Sequence, residues 1–369
     1  MSVKSFQPIN PRRDITTTRT FLHEVIPVSG SILSGTYGGY PNGTNIKNYT
    51  HGMFQSVYDY AYLSSSANHI FDITMGMASQ SPLSASTVTQ MKKKNNMYNE
   101  FAQVLLGYTG SANRVRLFES DLKLDQVGSM KNVFVISLSR LLVKDQVKKG
   151  TFKMKVGSGS WTTPFGVAND KIKTLQDSRA KVNGDGVATA DGGDYGVLYD
   201  KSNPGPNERG YGVIFYQAGI VVLSSSIWQT GPSGSGKPII SDFYKITRAG
   251  GSATSYNIRQ AQQTASISGS CDALRHRIQS ITFNNTTEIN STIYFCRAGA
   301  NKFNYSSNPT YVSGSKIRVK NVASDNPVAY VTTVGLYNQQ NELLAVAKLS
   351  EPLKKSVDNE LTIRVRLDY

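Results

Sequence analysis

The chain has 369 residues, a net charge of +15 and only two cysteines, Cys271 and Cys296. That length can bury a large core and ordinarily makes two or three domains. Two cysteines are too few for a disulfide framework or a four-thiolate metal site. No apolar run approaches the roughly eighteen residues that cross a bilayer. The opening Met1–Pro8 lacks the apolar core of a secretory signal, which points to folding in the cytosol. With 20 Tyr, 32 Gly and only 18% charged residues, the composition suits a β-rich protein whose wide polar surfaces meet other proteins rather than an enzyme.

In chain order, residues 1–50 read as an extended N-terminal segment. Arg12–Phe21 is rich in Thr, which favours strand. Asn42-Gly43, beside Gly38, Gly39 and Pro41, marks a turn. Such a segment either embraces a neighbouring subunit or is a loose terminus. Residues 51–112 read as a helical region, with helical patterning over Met53–Tyr62 and again over Ser84–Tyr108. In the second stretch Val88, Met91, Tyr98, Phe101, Ala102 and Leu105 share one face, and Gly107 stops the helix. Its triplet Lys92-Lys93-Lys94 reads as a solvated polar face rather than a phosphate track.

Residues 113–310 read as a β-rich domain with long loops. Lys131–Leu138 is nearly continuously apolar, the mark of a strand buried on both faces, and Phe152–Val156 alternates. The Gly-, Asp- and Asn-rich residues 157–195 read as loops. Val213–Tyr216 and Ile220–Leu223 flank Gln217-Ala218-Gly219 as a hairpin. A helical piece follows at Cys271–Ile278 and a strand at Thr292–Phe295.

No motif along the chain assembles a site. Gly231–Pro238 has the spacing of a phosphate-binding loop through Lys237, but Pro238 stands where a hydroxyl must meet magnesium. Asn183–Asp194 resembles a calcium loop with Val187 at a ligand position. His23, His51, His69 and His276 show no metal-ligand spacing. Cys271 and His276 lack a cysteine-protease signature, and Arg275 and Arg277 suggest a basic helix face. Glu119 with Asp121, or Asp191 with Asp194, are the nearest approach to a glycosidase acid pair, and no fold signal places either. No catalytic, cofactor or metal residues are therefore assigned. The spread of the basic residues, without an RNA-recognition or zinc-finger signature, favours acidic neighbours in an assembly over nucleic acid.

Residues 311–369 read as a C-terminal antiparallel β module. Lys316–Lys320 and Leu361–Leu367 alternate with the period of a half-buried strand. Between them Pro327–Tyr337, the polar turn Asn338–Asn341 and Glu342–Leu349 read as a hairpin. The run "TTVGLYNQQNELLAVAKL" resembles a hairpin that recurs near the ends of tail and baseplate proteins of contractile-tailed bacteriophages, and the resemblance is confined to this module. It implies a non-enzymatic virion protein, of the tail and most specifically the baseplate, assembled in the host cytoplasm with other tail or baseplate proteins and with copies of itself. The alternative is a receptor-binding or glycan-active tail fibre or adaptor. The expected fold is mainly β with a minor helical part (α+β), built of antiparallel domains and an extended N-terminal segment. Aromatic and Arg side chains dominate interface hot spots, so the candidate interface residues are Phe21 and Tyr37 in the arm and Tyr330, Tyr337, Arg364 and Arg366 in the terminal module.

Overall fold

The computed structural model describes residues 6–29, 43–84, 89–109, 114–202, 209–229, 240, 242–247, 253–306, 312–313, 316–317 and 326–369. In chain order, α1 (Pro11–Asp14) leads into β1 (Ile15–Ser29); β2 (Ile46–Asn48), β3 (Gln55–Tyr58) and β4 (His69–Met77) precede α2 (Thr89–Leu106). Then come β5 (Asn132–Leu138), α3 (Arg140–Val143), β6 (Gln146–Val147), β7 (Lys153–Gly157), β8 (Ile172–Gln176), β9 (Val187–Ala190) and β10 (Gly193–Asp200). β11 (Gly210–Phe215), β12 (Ile220–Ser224), β13 (Tyr244–Thr247) and β14 (Ala253–Tyr256) lead to a helical pair, α4 (Ile258–Thr264) and α5 (Ile267–Arg275). The chain closes with β15 (Ile278–Ala298), β16 (Val312–Ser313), β17 (Lys316–Ile317), β18 (Val328–Tyr337), β19 (Leu343–Ser356) and β20 (Leu361–Asp368). The fold is mainly antiparallel β with a minor helical part.

The chain divides into two compact units, His23–Thr287 and Met1–Leu22 with Glu288–Tyr369. β1 and β15, which are hydrogen-bonded neighbours, each run on from one unit into the other.

In the larger unit the sheet follows the path β15-β7-β8-β10-β11-β12-β5-β4-β3-β2. β5 is its centre, and its alternation is two-sided. Phe134 and Ile136 join Phe71, Ile73 and Met75 of β4 in one core, to which Met154, Leu175 and Phe283 of β7, β8 and β15 also belong. Val133 and Val135 face the opposite core, shared with Val213, Phe215 and Val222 and roofed by Tyr98, Ala102 and Leu105 of α2. The strand buried on both faces is thus present, because both faces of the sheet are covered. The hairpin β11–β12 pairs Phe215 with Ile220 as the sequence suggests.

α2 ends where expected. Gly107 has φ +72° and its N–H bonds the Gln103 carbonyl, a left-handed cap that glycine adopts without a Cβ clash. Met91, Tyr98, Ala102 and Leu105 are buried and Phe101 is half-buried; Val88 lies outside the described residues. Gly76 sets how closely the helix sits on β4, since a Cβ there would fall 2.9 Å from Tyr98 Cα. Tyr98 in turn donates to the Met130 carbonyl and accepts from the Phe118 amide. Gly76→Val should therefore push α2 off the sheet and lower stability by about 3 kcal/mol, read by urea unfolding. An unchanged midpoint would show that this contact is slack.

Three expectations are corrected. Met53–Tyr62 is not helical: Gln55–Tyr58 is a strand paired with β2 and β4, and backbone pairing overrides an ambiguous apolar spacing. Residues 157–195 are not only loops, for β8, β9 and the start of β10 lie among them. The lysine triplet does not form one solvated face. Lys92 is exposed and Lys93 donates to the His51 carbonyl, but Lys94 is fully buried, bonded to the carbonyls of Gln262 and Ala265 at the end of α4.

The helical piece after Cys271 begins earlier, at Ile267, where the Ser266 hydroxyl caps the Gly269 amide. Asn257 and Gln260 form a capping box that starts α4.

In the smaller unit β20 pairs with Ser291–Ala298 of β15. Val365 is buried and Leu361, Ile363 and Leu367 are half-buried, while Thr362, Arg364 and Arg366 face out, which is the alternation read from the sequence. β18 and β19 form a separate two-stranded ribbon, so the terminal strand pairs elsewhere than with the hairpin that precedes it.

Candidate interaction surface

The ribbon turns through Asn338–Asn341. Asn338 accepts the Glu342 amide on its side chain, and Asn341 has φ +64°, a conformation asparagine tolerates better than most residues. Its base is fixed by Lys355, which is fully buried and donates to the carbonyls of Ala300 and Ser356 and to Asn304 Oδ1. Between base and tip the register jumps from Val331↔Leu353 to Thr333↔Lys348, so Leu349–Pro352 bulge from the ladder. Pro352 has no N–H to offer a partner strand, and a bulge is where proline fits.

Across the tip, cross-strand partners point the same way. One face carries Val334 with Ala347 and Leu336 with Ala345, all buried or half-buried. The other carries Gly335 with Val346 and Tyr337 with Leu343. A Cβ on Gly335 would fall 2.9 Å from the Tyr337 ring and 3.2 Å from Leu343 Cδ1, so ring and leucine close over the glycine. Phe6 meets Tyr337 edge-on at 5.2 Å between centroids. The result is an apolar patch at which Phe6, Tyr337, Leu343 and Val346 remain 46%, 47%, 52% and 51% exposed. Leu344, on the bulge beside it, is exposed as well, and Lys348 stands on its rim.

The candidate interface residues fall as follows. Tyr330 and Tyr337 lie on β18 and are exposed, Tyr330 opposite Lys354. Arg364 and Arg366 share the outer face of β20, where Arg366 Nε is 2.6 Å from Asp368 and Nη2 bonds Ser291. Phe21 is exposed on β1, beside exposed Leu22. Tyr37 lies outside the described residues. Phe6, Leu343 and Val346 were not foreseen as interface residues. The alternation along Leu344, Val346 and Lys348 was the available signal, but it does not say which face is covered.

A second concavity belongs to the larger unit. Asp72, Ser137 and Ile220 are successive cross-strand neighbours on β4, β5 and β12, one row beyond the part of the sheet that α2 roofs. Together with Met97, Glu100, Phe101 and Val104 on the helix they bound a groove of about 350 Å³. Phe54 also lines the groove and packs against Tyr49 and His51, whose rings lie 4.7 and 5.0 Å from its own. Asp72 Oδ1 accepts from the Ser56 hydroxyl at 2.5 Å and from His69 Nε2 at 2.9 Å. Burial opposes ionisation of Asp72, but these bonds outweigh it and hold the carboxyl below its usual range. The same hydrogen bond to Asp72 raises the His69 pKa.

The residues of the other motifs are engaged elsewhere. Glu119 accepts the amides of Asp125 and Gln126 and orders its own loop, with burial raising its pKa, while Asp121 accepts the Lys123 amide. Asp194 takes Lys149 at 2.5 Å and the Thr189 hydroxyl, which lower its pKa; Asp185 bonds Asn183 and Lys181. Asp191 packs against Gly107. Cys271 donates to the Ile73 carbonyl, and burial pushes its thiol pKa well up. His276 bonds the Trp161 carbonyl through Nε2, and burial lowers its pKa.

Arg275 and Arg277 do not form a basic surface: both are buried, Arg275 against Asp272 and Arg277 on backbone carbonyls. The Gly231–Pro238 loop lies outside the described residues, apart from which no group of three His, Cys, Asp or Glu able to share a metal ion occurs among those described. No described helix is long and apolar enough to cross a membrane.

No protein-family model matches the chain, and neither a curated protein nor a solved structure shows significant similarity to it.

Proposed function

We propose that the chain is a non-enzymatic structural component of a contractile-tailed phage, a baseplate protein that works by protein–protein assembly in the virion. The observation that carries this reading is the apolar patch of Phe6, Tyr337, Leu343 and Val346 on the outer face of the ribbon. A contiguous exposed apolar cluster rimmed by polar residues suits a docking site, and Tyr is enriched among interface hot spots. The ribbon is also the segment that resembles the hairpin of tail and baseplate proteins. Lys348 at its edge favours a neighbour that brings apolar side chains with an acidic rim.

The test is composition and copy number of purified particles by mass spectrometry, joined to native mass of the isolated chain with and without the other virion proteins. A fixed copy number in the baseplate is expected. The double change Tyr337→Thr and Leu343→Thr, which keeps strand-favouring side chains at this cross-strand pair, should leave the fold intact, since both side chains are half-exposed, but weaken incorporation about tenfold or more. A chain absent from particles, or variants incorporated as well as the parent, would sink the reading.

A further inference from the structure

We propose that the groove between α2 and the β4–β5–β12 face receives a basic side chain, Lys or Arg with apolar neighbours, presented by another protein chain. The proposal does not depend on the assembly reading of the ribbon.

The groove is lined mainly by apolar side chains, with two acidic ones among them. Met97, Phe101, Val104 and Val135 supply surface for an aliphatic stem, and Val104 is 67% exposed. Two carboxylates line the groove, Asp72 from the sheet and Glu100 from the helix, and Ser137 is the cross-strand neighbour of Asp72. Asp72 spends Oδ1 on Ser56 and His69; among the described residues nothing bonds its Oδ2, and nothing bonds the Glu100 carboxylate. None of the lining residues is Lys or Arg. In a chain of net charge +15, an apolar groove with two acidic side chains and no lining Lys or Arg, only His69 meeting Asp72, calls for a cation from outside.

An ammonium or guanidinium head would find a carboxylate partner in the groove, while its methylene stem lies on the phenylalanine and methionine. A neutral apolar ligand would leave the Glu100 carboxylate without a partner, and an anion would be repelled. The flanking apolar surface is larger than one stem needs, which favours a peptide segment over an isolated cation.

The test uses the full chain, with methyl groups of Met97, Val104, Val135 and Ile220 isotopically labelled, titrated with acetyl-Leu-Arg-Phe amide and followed by NMR. The same peptide with citrulline in place of arginine, and spermidine, are run beside it. Saturable shifts at these methyls are expected, with citrulline about tenfold weaker because a charge-assisted pair is lost. Glu100→Gln, a change at an exposed helix position that leaves the fold intact, should weaken the arginine peptide by a similar factor and leave the citrulline peptide unchanged. Equal binding of the arginine and citrulline peptides, or shifts confined to other methyls, would overturn the proposal. So would spermidine binding as tightly as the arginine peptide, since that would make the site one for free polyamines.

Discussion

Arg277→Lys is expected to destabilise the protein by about 3 kcal/mol, although it keeps the charge. The guanidinium is 0% exposed and its donors spread over three backbone carbonyls: Nη1 to Gly159 at 2.8 Å, Nη2 to Asp242 at 3.1 Å, and both Nε and Nη2 to Phe243 at 3.3 Å. Its plane also stacks on the Phe243 ring at 4.9 Å. A lysine ammonium is a point donor on a different stem and cannot fork across all three acceptors, so at least one buried carbonyl loses its partner. Burial lowers the Arg277 pKa to about 10, with Asp242 acting the other way, so the side chain is cationic at neutral pH. Trp228 packs 5.2 Å from Phe243, and its fluorescence reports the loss directly during urea unfolding. A midpoint within experimental error of the parent would show that the fork is dispensable.

Lys94→Met should cost about as much at pH 7, roughly 3 kcal/mol, because two carbonyls at the end of α4 are left without donors in a site closed to water. This variant also tests a pH dependence. Burial brings the Lys94 pKa down from its ordinary value to about 8. Between that value and the unfolded pKa near 10.4 the unfolded chain holds more protons than the native one, so the parent gains stability as pH rises through this window. Below about pH 8 both states hold the proton and the difference is flat. The neutral amine still has two N–H groups for its two carbonyls, so the bonding persists. Methionine does not titrate; the gap between parent and variant should therefore widen from pH 7.5 to pH 10 in paired unfolding curves. Parallel curves over that range would place the Lys94 pKa near its ordinary value and the cation in a better-solvated site.

Much of the local structure was legible in the residues. Leu361–Leu367 alternates because one face of β20 is packed and one is wet. Lys131–Leu138 is unbroken because β5 has a core on each side. Gly107 stops α2 because the next residue must turn left-handed. His69–Met77 falls within the span 51–112 that reads as a helical region, yet it is the strand β4, the partner of β5 over seven residue pairs from Phe71↔Leu138 to Met77↔Asn132. Its sequence mixes Asp72, Thr74 and Gly76 with apolar residues. Each of those three faces a groove or a close-packed helix, and neither is visible along the chain.

The candidate surface was legible in part. Tyr337 stood out as an aromatic in a hairpin, but Phe6 is more than three hundred positions away in sequence and joins it only through the fold. By themselves the residues determined the periods, several turns and caps, the mainly β class and the excess of positive charge. Which strands pair, and where the cations go, was decided by tertiary structure. Lys94 takes carbonyls 168 and 171 positions on, and Arg277 takes one 118 positions back. Alternation is written into neighbouring side chains because backbone geometry repeats every two or 3.6 residues. Whether a lysine meets water or a carbonyl depends on segments that meet only when the chain has folded, so a basic triplet reads as surface until its third member is found inside.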